Sequence, residues 1–289
     1  MKQRSVKKLL YAQPYDMGGI PIRQPFPTAS IEQIDPFLLL HHADIMVPTH
    51  ILPSKAGVGP HPHRGFSPVT FVFEGAVHHR DSRGNDHVVY AGGTQWMNAG
   101  MGIIHSERPP KDIHEIGGRQ EIIQLWINTP AKNKMDQPDY QPLSQADTPV
   151  IFSDDRLVKI NVVAGELGYI KGPVKSLSAV NTFTVEMKKG GKYYFRIPPA
   201  HNLFVYLLDG QVNINDNHAA DAKFAVLFNN DGEGFDVEAL ENTRLFIGSG
   251  EPLNEPLATH GPFVMNSQTQ IMEAFRDYQM GKMGVLIED

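Results

Sequence analysis

The chain has 289 residues, a formal net charge of −6, 41% hydrophobic and 20% charged residues, and no cysteine. Such a length and composition fit an ordinary folded protein of one large or two ordinary domains, not a disordered segment. The acidic balance has no compensating basic block, which argues against direct nucleic-acid binding; the lack of cysteine excludes disulfides, thiolate ligands, iron–sulfur clusters and a cysteine nucleophile.

At the N-terminus the apolar run Leu9-Leu10-Tyr11-Ala12 is too short for a signal-peptide core. No apolar run anywhere is long enough to span a bilayer, so no membrane association is expected and the expected location is the cytoplasm. The 26 glycines and 22 prolines are spread along the chain and favour short strands joined by turns. The first informative segment is His61-Pro62-His63-Arg64-Gly65-Phe66. From Val69 onward, strand-like runs alternate with turn signals. Thr70-Phe71-Val72-Phe73 meets Glu74-Gly75, Ala76-Val77-His78-His79 returns, and Asp81-Ser82-Arg83-Gly84-Asn85 turns again. His87-Val88-Val89-Tyr90 and Thr94-Gln95-Trp96-Met97 extend, and a Gly-rich loop leads into Ile103-Ile104-His105-Ser106-Glu107. A further strand is expected over Glu121 to Ile127. Strands at this spacing without intervening helices predict an antiparallel barrel or sandwich.

The stretch from Asn128 to Pro149 is polar, contains Pro130, Pro138, Pro142 and Pro149, and lacks apolar periodicity, so it reads as an interdomain connection. Strand patterns resume at Val158 to Val163, Phe183 to Met187 and Tyr193 to Ile197. The run Phe204 to Val212 echoes Val69 to Val77: an apolar strand, an acidic residue followed by glycine, and a return strand. On that register His61 and His63 correspond to Arg196 and Pro198, so the second half reads as a copy of the first without its histidines. Any two β-hairpins share part of such a pattern, so the echo alone does not establish duplication. Ile271, Met272, Ala274, Phe275 and Tyr278 recur at helical spacing and Gly281 stops the run, which predicts one amphipathic helix over Gln268 to Tyr278.

The chemistry lies in two couplets, His61-x-His63 and His105-x-Glu107. Residues two apart in a strand face the same side, so two such strands laid together would aim four ligands at one point. Three imidazoles and a carboxylate suit a divalent transition metal. Exposed surface histidines are the bland alternative for any single couplet; the pairing of the two couplets across a glycine-bounded hairpin favours the metal. His41 and His42 are adjacent, as are His78 and His79, so neither pair can jointly hold one ion. Asp44 and His42 are candidates for a cavity mouth. No phosphate loop, Rossmann fingerprint or nucleophile elbow is present.

The chain resembles the pirin family, bicupins of the cupin superfamily. The likeness rests on His61-Pro62-His63-Arg64-Gly65-Phe66, Glu74-Gly75 with His79-Arg80-Asp81-Ser82, Gln95-Trp96-Met97, Gly100 through Glu107 and Gln124-Leu125-Trp126-Ile127-Asn128, with Gly261 to Asn266 and Ala274 to Tyr278 near the C-terminus. It implies an all-β fold of two stacked cupin-type antiparallel β-barrels with a C-terminal helix. The expected boundaries are 1–132 for a metal-binding barrel, 133–149 for the linker, and 150–289 for a second barrel that lacks ligands and carries the helix. It also implies one metal per chain, iron (Fe2+) before manganese, nickel, copper, cobalt or zinc, held by His61, His63, His105 and Glu107. Where pirins often carry an acidic stretch after Pro36 to Leu40, this chain has His41-His42-Ala43-Asp44, which would border the pocket.

Several pirins resemble flavonol 2,4-dioxygenases, named quercetin 2,3-dioxygenases. The function so implied is a metal-dependent dioxygenase that acts on quercetin or a related flavonol or enol, uses O2 and releases carbon monoxide, with Glu107 as ligand and catalytic base. The rival reading is an iron-dependent, redox-responsive regulatory protein with a protein partner. A purely structural metal would instead require a saturated shell.

Overall fold

The computed structural model describes residues 2–216 and 218–288. In it the glycine-punctuated region folds into the strands Val58–His63, Phe66–Glu74, Ala76–Asp81, Asp86–Tyr90, Thr94–Asn98, Ile103–Arg108 and Arg119–Asn128. They form two antiparallel sheets. One has the order Val58–His63, Ile103–Arg108, Ala76–Asp81, Asp86–Tyr90; the other runs Asp139–Leu143, Thr94–Asn98, Phe66–Glu74, Arg119–Asn128, Phe37–Met46, Ile20–Phe26, Gln13–Met17.

The second half repeats this wiring. Its small sheet has the order Lys192–Arg196, Gly234–Ala239, Gln211–Ile214, His218–Asp221, and its large sheet contains Val6–Tyr11, Phe224–Phe228, Asn202–Asp209, Thr243–Gly250 and Val180–Met187 in that order. Matching strand order in both sheets is evidence of internal duplication that sequence echo alone could not give. The fold is thus two cupin barrels with one long helix, Gln268–Gln279, in the C-terminal segment. Among the described residues no helix is long and apolar enough to cross a membrane.

The two compact units do not follow the linear division at residues 132 and 150. One comprises Met1–Gln13, Arg23–Pro36 and Ala146–Pro252; the other comprises Pro14–Ile22, Phe37–Gln145 and Leu253–Asp289. Edge-strand exchange explains part of the difference. Val6–Tyr11 pairs with Phe224–Phe228 and buries Leu10, so N-terminal residues complete the later barrel. Asp139–Leu143, inside the expected linker, is a strand paired with Thr94–Asn98, and Tyr140 stands opposite Met97. Its polar sequence and Pro142 hid it, and both suit a sheet edge, where one row of backbone donors needs no partner. The helix also belongs to the earlier barrel's unit. Ile271 and Ala274 pack with Phe263, Met265 and Met283, as the predicted apolar stripe requires.

The later barrel is filled. Phe195, Ile197, Val212, Ile214, Phe235 and Val237 lie in one apolar cluster, with Phe195 and Phe235 stacked at 5.3 Å. Where the earlier barrel carries inward histidines on two neighbouring strands, the paired strands Lys192–Arg196 and Gly234–Ala239 set Phe195 opposite Phe235. Phe235→Ala is expected to cost about 3–5 kcal/mol in denaturant unfolding while leaving metal affinity unchanged. A metal titration altered by that substitution would contradict a barrel whose role is packing.

Candidate metal centre

Val58–His63 and Ile103–Arg108 pair antiparallel with His105 opposite His61 and Ile103 opposite His63. The register slips between His105 and Glu107, a bulge beside the site. Period-two alternation brings the three imidazoles together, with ring centroids 4.7 Å apart for His61 and His63, 4.3 Å for His61 and His105, and 5.0 Å for His63 and His105. One nitrogen from each lies within 4.8 Å of the others. The turn after His63 is held from several sides. Gly65 has φ +84°, and a Cβ there would run into the Val264 carbonyl, so the position requires glycine. The buried Lys134 Nζ donates to the Gly65 carbonyl at 2.6 Å, and Arg64 reaches the Met101 carbonyl at 2.6 Å and Asp277 of the C-terminal helix at 3.1 Å.

Hydrogen bonds decide which nitrogen each ring offers. His61 Nδ1 lies 2.8 Å from the Gly59 carbonyl and His63 Nδ1 lies 3.4 Å from the Pro262 carbonyl. A carbonyl only accepts, so both Nδ1 atoms carry hydrogen, and in the neutral tautomer this selects, the lone pair is on Nε2. His105 Nε2 is buried and finds no hydrogen-bond partner. Burial, followed by the neighbouring imidazoles, pushes the pKa of His105 well below its ordinary value; burial and then His61 do the same to His63 against a smaller opposing effect of the Pro262 carbonyl. Neutral rings are what a metal needs as ligands. An orphaned ring nitrogen beside two lone pairs of the same kind fits a divalent transition metal, for which imidazole is a common ligand.

Glu107 stands outside this group of three. Its Oε1 accepts from Thr70 Oγ1 at 2.8 Å and from Gln95 Nε2, and its Oε2 accepts from Gln124 Nε2 at 2.6 Å. Trp126 Nε1 donates to Gln124 Oε1 at 3.2 Å, which fixes that amide with its NH2 toward Glu107. The carboxylate therefore faces the histidine cavity in a fixed orientation. Thr70 and Gln95 are cross-strand partners, nearly fully buried. Sequence reading assigned neither a role. Their signal was a polar residue within an apolar strand run, a position that calls for a buried partner.

His61, His63 and Glu107 line a cavity of about 800 Å³ whose walls include Ile22, Ile45, Ile122 and Trp126. His41 and Asp44 line it too. His42 does not: it is buried with its Nε2 3.2 Å from Glu121, as expected for neighbours on opposite faces of a strand. Burial lowers the His41 pKa to about 4, so this ring is uncharged at neutral pH, whereas the hydrogen bond from Arg119 holds the Asp44 carboxyl below its ordinary range.

Residues 19–127 match the family model described as Pirin, and residues 182–284 match the Pirin C-terminal cupin domain. A Pseudomonas aeruginosa protein provisionally named a quercetin 2,3-dioxygenase is 38% identical over 91% of this chain and 92% of its own length. This chain belongs to the pirin family. A pirin-like protein of Solanum lycopersicum is 34% identical over 96% of this chain and 92% of its own. Among solved structures, a quercetin 2,3-dioxygenase from Acinetobacter baumannii superimposes with a TM-score of 0.93 at 34% identity, covering 99% of this chain and all of that one. Both matched segments agree with the repeated strand order, and the pirin motif His61 to Phe66 coincides with the strand and turn that carry two of the three imidazoles.

Proposed function

We propose that this pirin is a metal-dependent dioxygenase of a flavonol or related aromatic enol. The observation that carries the reading is the convergence of three imidazoles, two of which line a cavity with largely apolar walls, with a carboxylate lining the same cavity. The volume, about 800 Å³, lies within the range of small-molecule sites. A divalent metal, iron first, held by His61, His63 and His105 with Glu107 as a fourth ligand, would supply Lewis-acid activation of the enol oxygen and redox access to O2.

The chain's own residues do the rest. Ile22, Ile45, Ile122 and Trp126 bury an aromatic ring system and exclude water. Thr70, Gln95 and Gln124 aim the Glu107 carboxylate so that it takes the proton of the enol hydroxyl. In the overall reaction two carbon–carbon bonds of the enol ring break, and the carbon between them leaves as carbon monoxide with its own oxygen. Both atoms of O2 enter the depside, which regains the proton. Aerobic incubation of Fe2+-loaded protein with quercetin is expected to bleach the flavonol absorbance and release one carbon monoxide per flavonol consumed. Unchanged absorbance with no carbon monoxide, across Fe2+, Mn2+ and Ni2+ preparations, would sink the reading.

A further inference from the structure

We infer that Asp81 and His79 form a positioning relay that sets the tautomer of His105, turning its Nε2 lone pair toward the metal. The inference rests on the reading of the three histidines as a metal site. His79 and Asp81 repeat the one-residue spacing of the two ligand couplets, on the strand beside Ile103–Arg108: Asp81 pairs with His105, and His79 with Glu107. The same face of the sheet therefore carries His-x-Asp next to His-x-Glu. Both His79 and Asp81 are buried.

The protons follow by elimination. Asp81 Oδ1 accepts from the backbone N–H groups of Arg83 at 2.9 Å and Asn85 at 3.1 Å, and its Oδ2 accepts from Asn85 Nδ2 at 2.8 Å. Burial opposes the carboxylate's charge, but the hydrogen bonds from His79, Asn85 and Arg83 outweigh it and hold the group below its ordinary range. An ionised Asp81 can only accept, so the 2.9 Å contact to His79 Nε2 is a donation from His79. With its single ring proton placed at Nε2 by Asp81, His79 presents Nδ1 as an acceptor. Its neighbour at 3.4 Å is His105 Nδ1, which must donate. His105 is left with an unprotonated Nε2, the very atom that finds no protein partner.

The ring of His79 is itself held in place. Tyr140 stacks on it at 4.0 Å and 8° between planes, and its hydroxyl donates to Gln95 Oε1 at 3.3 Å. Gln95 in turn holds Glu107. One aromatic side chain thus braces both arms of the centre, the relay to His105 and the clamp on Glu107. Partners of metal-bound histidines usually fix ring orientation, and losing them typically weakens metal binding by about 10–100-fold. Here a second histidine stands between the carboxylate and the ligand.

The test uses the full chain labelled with 15N-histidine. In metal-free wild-type protein, ring 15N spectra are expected to show His105 protonated at Nδ1 and His79 at Nε2. Competition titrations with Zn2+ against a chromophoric chelator are expected to show affinity about 10–100-fold weaker in Asp81→Asn and His79→Phe, with His105 in Asp81→Asn no longer confined to the Nδ1–H form. Wild-type His105 found protonated at Nε2 would overturn the relay without any variant. So would an Asp81→Asn protein with wild-type affinity and tautomer. Failure of the wild-type chain to bind Zn2+ would instead remove the metal reading on which the relay rests, a separable outcome.

Discussion

His63→Ala is expected to lose metal and turnover together. Structural sites bind divalent zinc with about 10–16 kcal/mol shared among four ligands, or about 2.5–4 kcal/mol for each, so one missing imidazole weakens affinity by about 10²–10³-fold. His63 is buried, and its polar tie outside the site is the 3.4 Å bond to the Pro262 carbonyl, so the fold should survive the change. Equilibrium dialysis with elemental analysis measures the loss, and circular dichroism verifies the fold. Wild-type affinity in a folded His63→Ala protein would remove this ring from the centre.

Glu107→Gln separates holding a metal from using it. The three imidazoles are unchanged and Glu107 lies outside their group, fixed by Thr70, Gln95 and Gln124, so with metal in excess the content should stay near one ion per chain although loss of the fourth ligand weakens affinity. The amide cannot take the enol proton. Loss of a general base typically costs about 10²–10⁴-fold, and kcat on quercetin should fall by that order. Parallel metal analysis and steady-state kinetics check it. Undiminished turnover would assign proton removal elsewhere, and loss of the metal would make Glu107 primarily a ligand.

The two couplets were legible in the sequence because their geometry is local: residues two apart on a strand share a face whatever surrounds them. The strands from Phe66 to Asn128 were legible because glycine turns and apolar runs alternate there, and the helix because its stripe is regular and Gly281 ends it. What escaped depends on partners distant in sequence. Tyr140 lies in a polar, proline-bearing stretch, and only pairing of Asp139–Leu143 at a sheet edge brings it onto His79. The membership of the N-terminal strand and of the C-terminal helix is likewise set by pairing and packing across more than 150 residues, as in the contact of Arg64 with Asp277. His79-Arg80-Asp81 was visible as a motif, yet its role required the register that sets Asp81 beside His105.

The central claim is a single metal at three imidazoles of one barrel, and anomalous diffraction from crystals loaded with Fe2+ tests it most directly. The account predicts one peak per chain at the iron edge, bonded to the Nε2 atoms of His61, His63 and His105, with none inside the barrel that contains Phe195 and Phe235. A peak bonded to other residues, or none in a crystal whose metal content is one per chain, would contradict it.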